Sequence, residues 1–278
     1  METLPFEVAI KVVSFLSIKD LKKIAVINRY WNILANVRLY KHLIIKTEKQ
    51  LNLFIQWASQ RTQSYVQCLD LTHVHGYVTD RTLDTLMYAT NIRQLNLAKC
   101  TRLSPESILP LIKNNVSWLH TLILTDCTLS NEVIQWIGEA SRQQLKCLNL
   151  SNTMIKPCLA FDTSNHLDNM FHSTNVWVAQ LRYLDLSYCA WVNEKTVENI
   201  AHGLPYLEHI ILQWCNQIKV NSVHNLVQQL TFLNTIDIRH IDTVSTEEQA
   251  SHVMEYAASL KKILFTYKTN STEIVSLK

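Results

Sequence analysis

LRYLDLSYC, residues 181–189, carries leucine at its first, fourth and sixth positions and cysteine at its ninth. The alternation Leu184-Asp185-Leu186 has the two-residue period of a strand, with Leu184 and Leu186 turned toward a core and Asp185 turned away. The phrase returns as IRQLNLAKC from Ile92, LHTLILTDC from Leu119 and LEHIILQWC from Leu207. Weaker copies are VQCLDLTHV from Val66, LKCLNLSNT from Leu145, LNTIDIRHI from Leu233 and LKKILFTYK from Leu260. Their starts lie 26 or 27 residues apart, except for one step of 36 between Leu145 and Leu181. A fixed period of this size marks a solenoid, in which each unit buries its apolar face only against its neighbours.

After each strand the apolar residues return at helical spacing, as in Val78, Leu83 and Leu86 or Val192, Val197 and Ile200. Asp80 and Ser104 are the expected helix caps, and Pro105 suits a first helical position. Each unit is therefore strand, turn, helix. With these features the array resembles the cysteine-containing leucine-rich repeats, whose motif LxxLxLxxC-xx-[IL]TDxxL is matched nearly in full by residues 66–83, 92–108 and 207–223. The resemblance implies an α/β fold, a right-handed leucine-rich-repeat solenoid with parallel strands inside and helices outside. Counting back one period from Val66 reaches Tyr40, where YKHLII sets Leu43 and Ile45 in the places of Leu69 and Leu71. A first, capping repeat is expected over about 40–65, with the solenoid running over 40–278 and no flexible linker before it.

Cysteine recurs at the ninth position as Cys100, Cys127, Cys189 and Cys215, while Val74, Thr153 and Ile241 fill the same place in sister units. A slot that accepts all four residue types wants a small, mostly apolar side chain, and free cysteine behaves as one. No catalytic role is assigned to it. Seven cysteines, without a CxxC pair and without a secretory leader in the given sequence, suit a reducing cytoplasmic or nuclear compartment. With only three glycines, no phosphate-cradling GxGxxG or GxxxxGK loop can form. His73 and His75, like His166 and His172, lack partners at zinc-site spacing. No metal, cofactor or enzyme activity is expected, and no run of apolar residues is long enough to span a membrane.

The net charge of +3 is concentrated in residues 1–43, which carry +4 against −1 for the remainder. Lys11, Lys19, Lys22, Lys23, Arg29, Arg38 and Lys41 are dispersed among apolar positions, which suits an acidic protein better than nucleic acid. The segment divides into three short helices: Pro5 opens the first, Ser17 with Asp20 forms a capping pattern before the second, and Asn28 caps the third. On the first helix Glu7, Lys11 and Ser14 form one narrow polar stripe. Phe6, Ile10 and Val13 lie on one flank and Val8, Val12, Phe15 and Leu16 on the other, more than three short helices bury among themselves.

Leu4-Pro5, Glu7, Leu16, Ser17, Leu21, Val26, Arg29, Trp31, Leu34 and Leu39 also resemble the F-box pattern, with a departure at Tyr40, where that motif often has tryptophan. A three-helix F-box over 1–43 ahead of leucine-rich repeats implies a substrate-recognition subunit of an SCF-type cullin–RING ubiquitin ligase. The F-box would bind a Skp-family adaptor and the repeats an unknown substrate protein. The resemblance places Leu4, Pro5, Leu16 and Leu21 at the adaptor, and the helix-face argument adds Val8 and Val12. A competing reading is a leucine-rich interaction scaffold whose N-terminal helices only cap the solenoid.

Outward strand positions line the concave sheet, the surface such folds use for binding. They are small or polar in the early units, as in Cys68, Asp70, Gln94, Asn96, Thr121 and Thr125. The later units offer Tyr183, Asp185 and Tyr188, then His209, Ile211, Gln213 and Trp214, then Asp237, Arg239 and His240, and finally Tyr267. Tyrosine, tryptophan and arginine are enriched at binding hot spots, so recognition is expected in this second half. The alternative is that Trp191 and Trp214 cover repeat edges. The long step places an insertion within 154–180, either a binding loop or a tolerated one.

Overall fold

The computed structural model describes residues 4–156, 180–241, 246–255, 259–266 and 272–276. Tyr267 and most of the insertion lie outside them. Three helices open the chain, α1 (Phe6–Ser14), α2 (Ile18–Ile24) and α3 (Arg29–Lys41). Pro5 holds the N-cap of α1. The Ser17 hydroxyl accepts the Asp20 N–H at 3.2 Å, and the Asn28 side-chain Oδ1 accepts that of Trp31 at 3.0 Å. These bonds satisfy donors that a helix start leaves open.

Lys41 ends α3 and His42 begins β1 (His42–Ile44), so the helices feed the sheet with no residue between. The other strands facing inward are β2 (Cys68–Asp70), β3 (Gln94–Asn96), β4 (Thr121–Ile123), β6 (Cys147–Asn149), β8 (Tyr183–Asp185), β9 (His209–Ile211), β10 (Thr235–Asp237) and β11 (Lys262–Thr266). Two-residue strands β5 (Thr128–Leu129) and β7 (Met154–Ile155) pair separately. The main sheet is parallel and in sequence order from β1 to β11, closed by antiparallel β12 (Thr272–Ser276). The periodicity did not anticipate that closing hairpin, which follows a phrase resembling any other repeat start.

Register is constant, third to fifth residue of one unit against third to fifth of the next. Leu43 lies opposite Leu69, Leu69 opposite Leu95, and Leu148 opposite Leu184. The last pairing spans the long step, so the register carries across it unshifted. Outside the sheet stand α4 (Glu48–Trp57), α5 (Gln60–Gln63), α6 (Asp80–Asp84), α7 (Pro105–Asn115), α8 (Asn131–Gln143), α9 (Glu194–Gly203), α10 (Val220–Gln229) and α11 (Glu247–Glu255). Ser104 caps α7 with Pro105 behind it, but α6 is capped by Thr79 rather than Asp80. The Asp80 carboxylate instead accepts the Ser104 N–H of the next unit at 2.8 Å, which holds its pKa below the usual carboxylate value.

Between sheet and helices runs one continuous core in which Leu148, Leu184, Leu186, Ile210 and Ile236 are wholly buried. Each such side chain contributes about 1.5–3 kcal/mol of burial free energy. Polar rows brace the turn within each unit as well. The fifth residue, where it is Asp or Asn, accepts the N–H two residues on: Asp70 from Thr72, Asn96 from Ala98, Asn149 from Ser151, Asp185 from Ser187, Asp237 from Arg239. The eighth residue adopts a positive φ of 53–66° at Lys99, Asp126, Asn152, Tyr188, Trp214 and His240.

The ninth residue, where it is cysteine, is fully enclosed. Thiols of Cys127, Cys189 and Cys215 donate to the carbonyls of Leu97, Leu150 and Leu186 in the preceding unit, at 3.3, 3.0 and 3.2 Å. Burial pushes the Cys100, Cys127 and Cys215 thiols up to about 12 and raises that of Cys189. A thiol held protonated in this way is a filler and a weak donor, not a nucleophile.

Candidate protein-interaction surfaces

The N-terminal helices close around a small core. Ala9 and Val13 of α1, Leu21 of α2 and Leu34 of α3 are buried, with Leu16, Ile24, Tyr30, Trp31 and Leu39 half-buried around them. Tyr30 donates its hydroxyl to the Leu4 carbonyl at 2.8 Å and ties the start of the chain to α3. Everything else apolar on α1 stays outside. Leu4, Phe6, Val8, Ile10 and Val12 are 41–51% exposed, and Phe15 is 86% exposed. Pro5 is exposed as well.

Of the six residues expected at an adaptor, Leu4, Pro5, Val8 and Val12 thus lie on the surface and Leu16 lies half-buried at its margin. Leu21, at 2% exposure, is a correction: it faces Ala9, Val13 and Leu34 and supports the surface from beneath. Ile18, Val26 and Ile27, 66%, 84% and 62% exposed, extend the patch. They escaped periodicity because they sit at helix ends and turns, where a 3.6-residue phase has no meaning. Lys11, Lys19, Lys22 and Lys23 are exposed beside them, and among the described residues only Lys23 of the four is ion-paired, to Asp20 at 3.6 Å.

Past Ile18 the surface opens into a groove of about 890 Å³ between α2, α3 and the first solenoid unit. Leu16, Leu39, Ile44, Leu53 and Trp57 are among its walls. Trp57 is 74% exposed.

On the concave face the second-half residues divide into two sets. Tyr188 and Trp214, 52% and 43% exposed, join His240 in a stacked column: ring centroids are 6.0 Å apart for Tyr188 and Trp214 and 4.4 Å for Trp214 and His240, with planes within 20°. Tyr183 lies 6.4 Å from His209 one strand over, both half-buried. Burial, with Asp185 adding to it, pushes the Tyr183 hydroxyl up to about 12, so it is a neutral donor. The positive φ that the turn demands is costly for bulky residues, and the later units nevertheless place Tyr, Trp and His there.

Asp185 and Asp237 belong to the other set, at 8% and 3% exposure instead of facing solvent. Asp185 accepts the Ser187 N–H and hydroxyl at 3.0 and 2.6 Å and the Asn149 amide at 3.0 Å. Asp237 accepts the Gln213 amide at 2.6 Å and the Arg239 guanidinium at 2.7–3.2 Å. That fork raises the Arg239 pKa further and commits its charge. The two aspartates thus each anchor a separate local network, and half-buried Ile211 lies opposite both of them in the sheet register. Sequence alternation put both aspartates outward, but could not show that their neighbours close over them.

Residues 1–46 match the family described as F-box-like. The chain therefore joins an F-box-like domain to a leucine-rich-repeat solenoid. A curated relative, the SCF E3 ubiquitin ligase complex F-box protein pof2 of Schizosaccharomyces pombe, is 26% identical over 153 residues, 53% of this chain and 33% of that protein. The match spans about a third of the relative's length. Among solved structures, the leucine-rich repeat-containing protein LegL7 from Legionella pneumophila aligns at 15% identity with a TM-score of 0.45, over 97% of this chain and 90% of that one. The complex of Rad7 and Elc1 in yeast aligns at 13% identity with a TM-score of 0.38, over 95% and 90%. Among the described residues no helix is long and apolar enough to cross a membrane, and no cluster of side chains is suited to hold a metal ion.

Proposed function

We propose that this chain is a non-catalytic substrate-recognition subunit of an SCF-type cullin–RING ubiquitin ligase. The carrying observation is the α1 surface, where Leu4, Phe6, Val8, Ile10, Val12 and Phe15 are exposed on a helix that buries only Ala9 and Val13. Contiguous apolar surface of this kind marks a protein partner. Surrounding lysines favour an acidic one, as the Skp-family adaptor of the F-box resemblance would be. Leu4, Pro5, Val8, Val12 and Leu16 are its contacts, with Leu21 holding α1 and α2 in place. The likeness to pof2 supports the same reading.

The substrate protein is read by the ring column of Tyr188, Trp214 and His240 together with Tyr183 and His209. Stacked rings use their faces on one another and offer edges, so they form an apolar wall rather than a set of slots. Arg239, Gln213, Asp185 and Asp237 fix that wall, and Ile211 fills beneath it.

Capture of a Skp-family adaptor by the purified chain tests the first half. A Val8→Glu, Val12→Glu double variant is expected to unfold at the wild-type temperature and to lose capture by roughly 30-fold or more, since truncation at an interface hot spot costs 2 kcal/mol or above. Wild-type capture by the folded variant would return the helices to the role of a solenoid cap.

A further inference from the structure

The second residue of each unit lies just before its strand, and its carbonyl accepts the N–H of its counterpart in the next unit. Gln67 donates to Lys41 at 3.0 Å, Arg93 to Gln67 and His120 to Arg93 at 2.7 Å, Lys146 to His120 at 2.9 Å, and Arg182 to Lys146 at 2.8 Å. A row bonded in this way sets one side chain per strand along the sheet edge, at the inter-strand spacing of about 4.8 Å. Within it cations occupy every second strand, Lys41, Arg93 and Lys146. Arg93 and Lys146 are exposed, Lys41 is half-buried, and none of the three makes an ion pair among the described residues.

Arg182 differs: it is paired to Glu208 at 2.6 Å and lies over the Tyr206 ring at 5.7 Å. The unanswered charges are therefore the first three, about 10 Å apart. They act locally already, since Lys41 and Arg93 both oppose the rise that burial imposes on the Cys68 thiol.

We propose that this edge binds an extended acidic segment of a partner protein, with carboxylates three residues apart meeting Lys41, Arg93 and Lys146 in turn. A polyproline II segment repeats every three residues at about 3.1 Å each, or about 9.3 Å, which stays in phase with alternate strands. A β-strand brings a side chain back to one face about every 6.8 Å, and two turns of an α-helix span about 10.8 Å, so both drift from the spacing faster than the polyproline repeat does. Gln67 and His120, between the cations, suit the intervening residues. Trp118, 47% exposed, stands beside the row with its carbonyl 2.6 Å from His120 Nδ1 and gives one of them an apolar contact. This site is separate from the α1 surface and from the ring column.

Fluorescence anisotropy on the full chain tests it, with a labelled proline-rich peptide carrying aspartate at every third of about ten positions. The same composition with its aspartates consecutive, and an asparagine version, are the comparisons. The period-three peptide should bind most tightly, and Lys41→Gln, Arg93→Gln, Lys146→Gln together should weaken it about tenfold, each exposed charge contact being modest. The exposed pair Arg93→Gln, Lys146→Gln should lose most of that on its own, while Lys195→Gln, on α9, should change nothing. Equal binding of the consecutive peptide, wild-type affinity in the triple variant, or stronger binding of single-stranded RNA of the same length would each overturn the proposal. No adaptor is present, so this result stands apart from the capture experiment.

Discussion

The N-terminal helices close on a cluster of four buried side chains, while the solenoid core runs unbroken from Ile45 to Phe265. Nine of the twenty large apolar residues exposed among the described positions fall between Leu4 and Ile27. A repeat can hand its apolar face to the next repeat and so finish its core within the chain. Three short helices have no such neighbour on the α1 side, and in the chain alone their surplus stays exposed. The difference lies in where the last layer of packing comes from.

The sharpest way to break that contrast is to truncate one apolar side chain in each region. Leu184→Ala, in the middle of the sheet, should cost about 2–5 kcal/mol in urea unfolding because the rigid units on both sides cannot collapse into the cavity. Phe15→Ala should stay within about 0.5 kcal/mol in the isolated chain. Comparable losses at the two sites would mean that the helices depend on Phe15 for their own folding.

Alkaline pH separates the regions next, because the described helices of residues 6–41 contain no cysteine. Cys100, Cys127 and Cys215 have folded pKa values raised from 9.0 to about 12. A raised pKa means that the folded state holds the proton more tightly. The stability it contributes is fully present below pH 9 and is lost as pH climbs toward 12. At pH 10 each thiol loses about 1.4 kcal/mol, so the summed loss should be on the order of 4 kcal/mol. Thermal unfolding from pH 7 to 10.5 reads it, and an unchanged transition above pH 9 would show that these thiols are not desolvated.

Third in size is Asp185→Ala, which strands the Ser187 N–H and the Asn149 amide and should cost about 1–3 kcal/mol. Trp214→Ala should cost less stability than this and more substrate affinity, which divides the concave face into a layer that holds and a wall that contacts. This division also marks what could be read in advance. Strand phase and repeat length depend on each residue's own side chain, so the positions of Leu184, Leu186 and Cys189 followed from nine letters. The burial of Asp185 depends on Asn149, 36 residues earlier, and that of Leu21 on how α1 and α3 close over it. Neither is a property of a local window.

The smallest effect concerns the two halves of the row of left-handed residues. An L-residue in this conformation costs about 1–2 kcal/mol, and glycine there loses about 0.5–1 kcal/mol in chain entropy instead. Lys99 is exposed and has a φ of 66°, so Lys99→Gly should raise stability by about 0.5–1 kcal/mol. Trp214→Gly relieves the same backbone but removes both stacking contacts, with Tyr188 on one side and His240 on the other. Its net change should therefore be negative, opposite in sign to that at Lys99. Stabilisation at both positions would mean that the rings add nothing to the fold, and their retention in a costly conformation would then rest on contact with a partner alone. Destabilisation at both would show that the turn is held by its N–H bonds to the next unit, Lys99 to the Thr125 carbonyl at 2.9 Å and Trp214 to that of Arg239 at 3.2 Å, firmly enough that glycine's freedom is a loss without a strain to offset it.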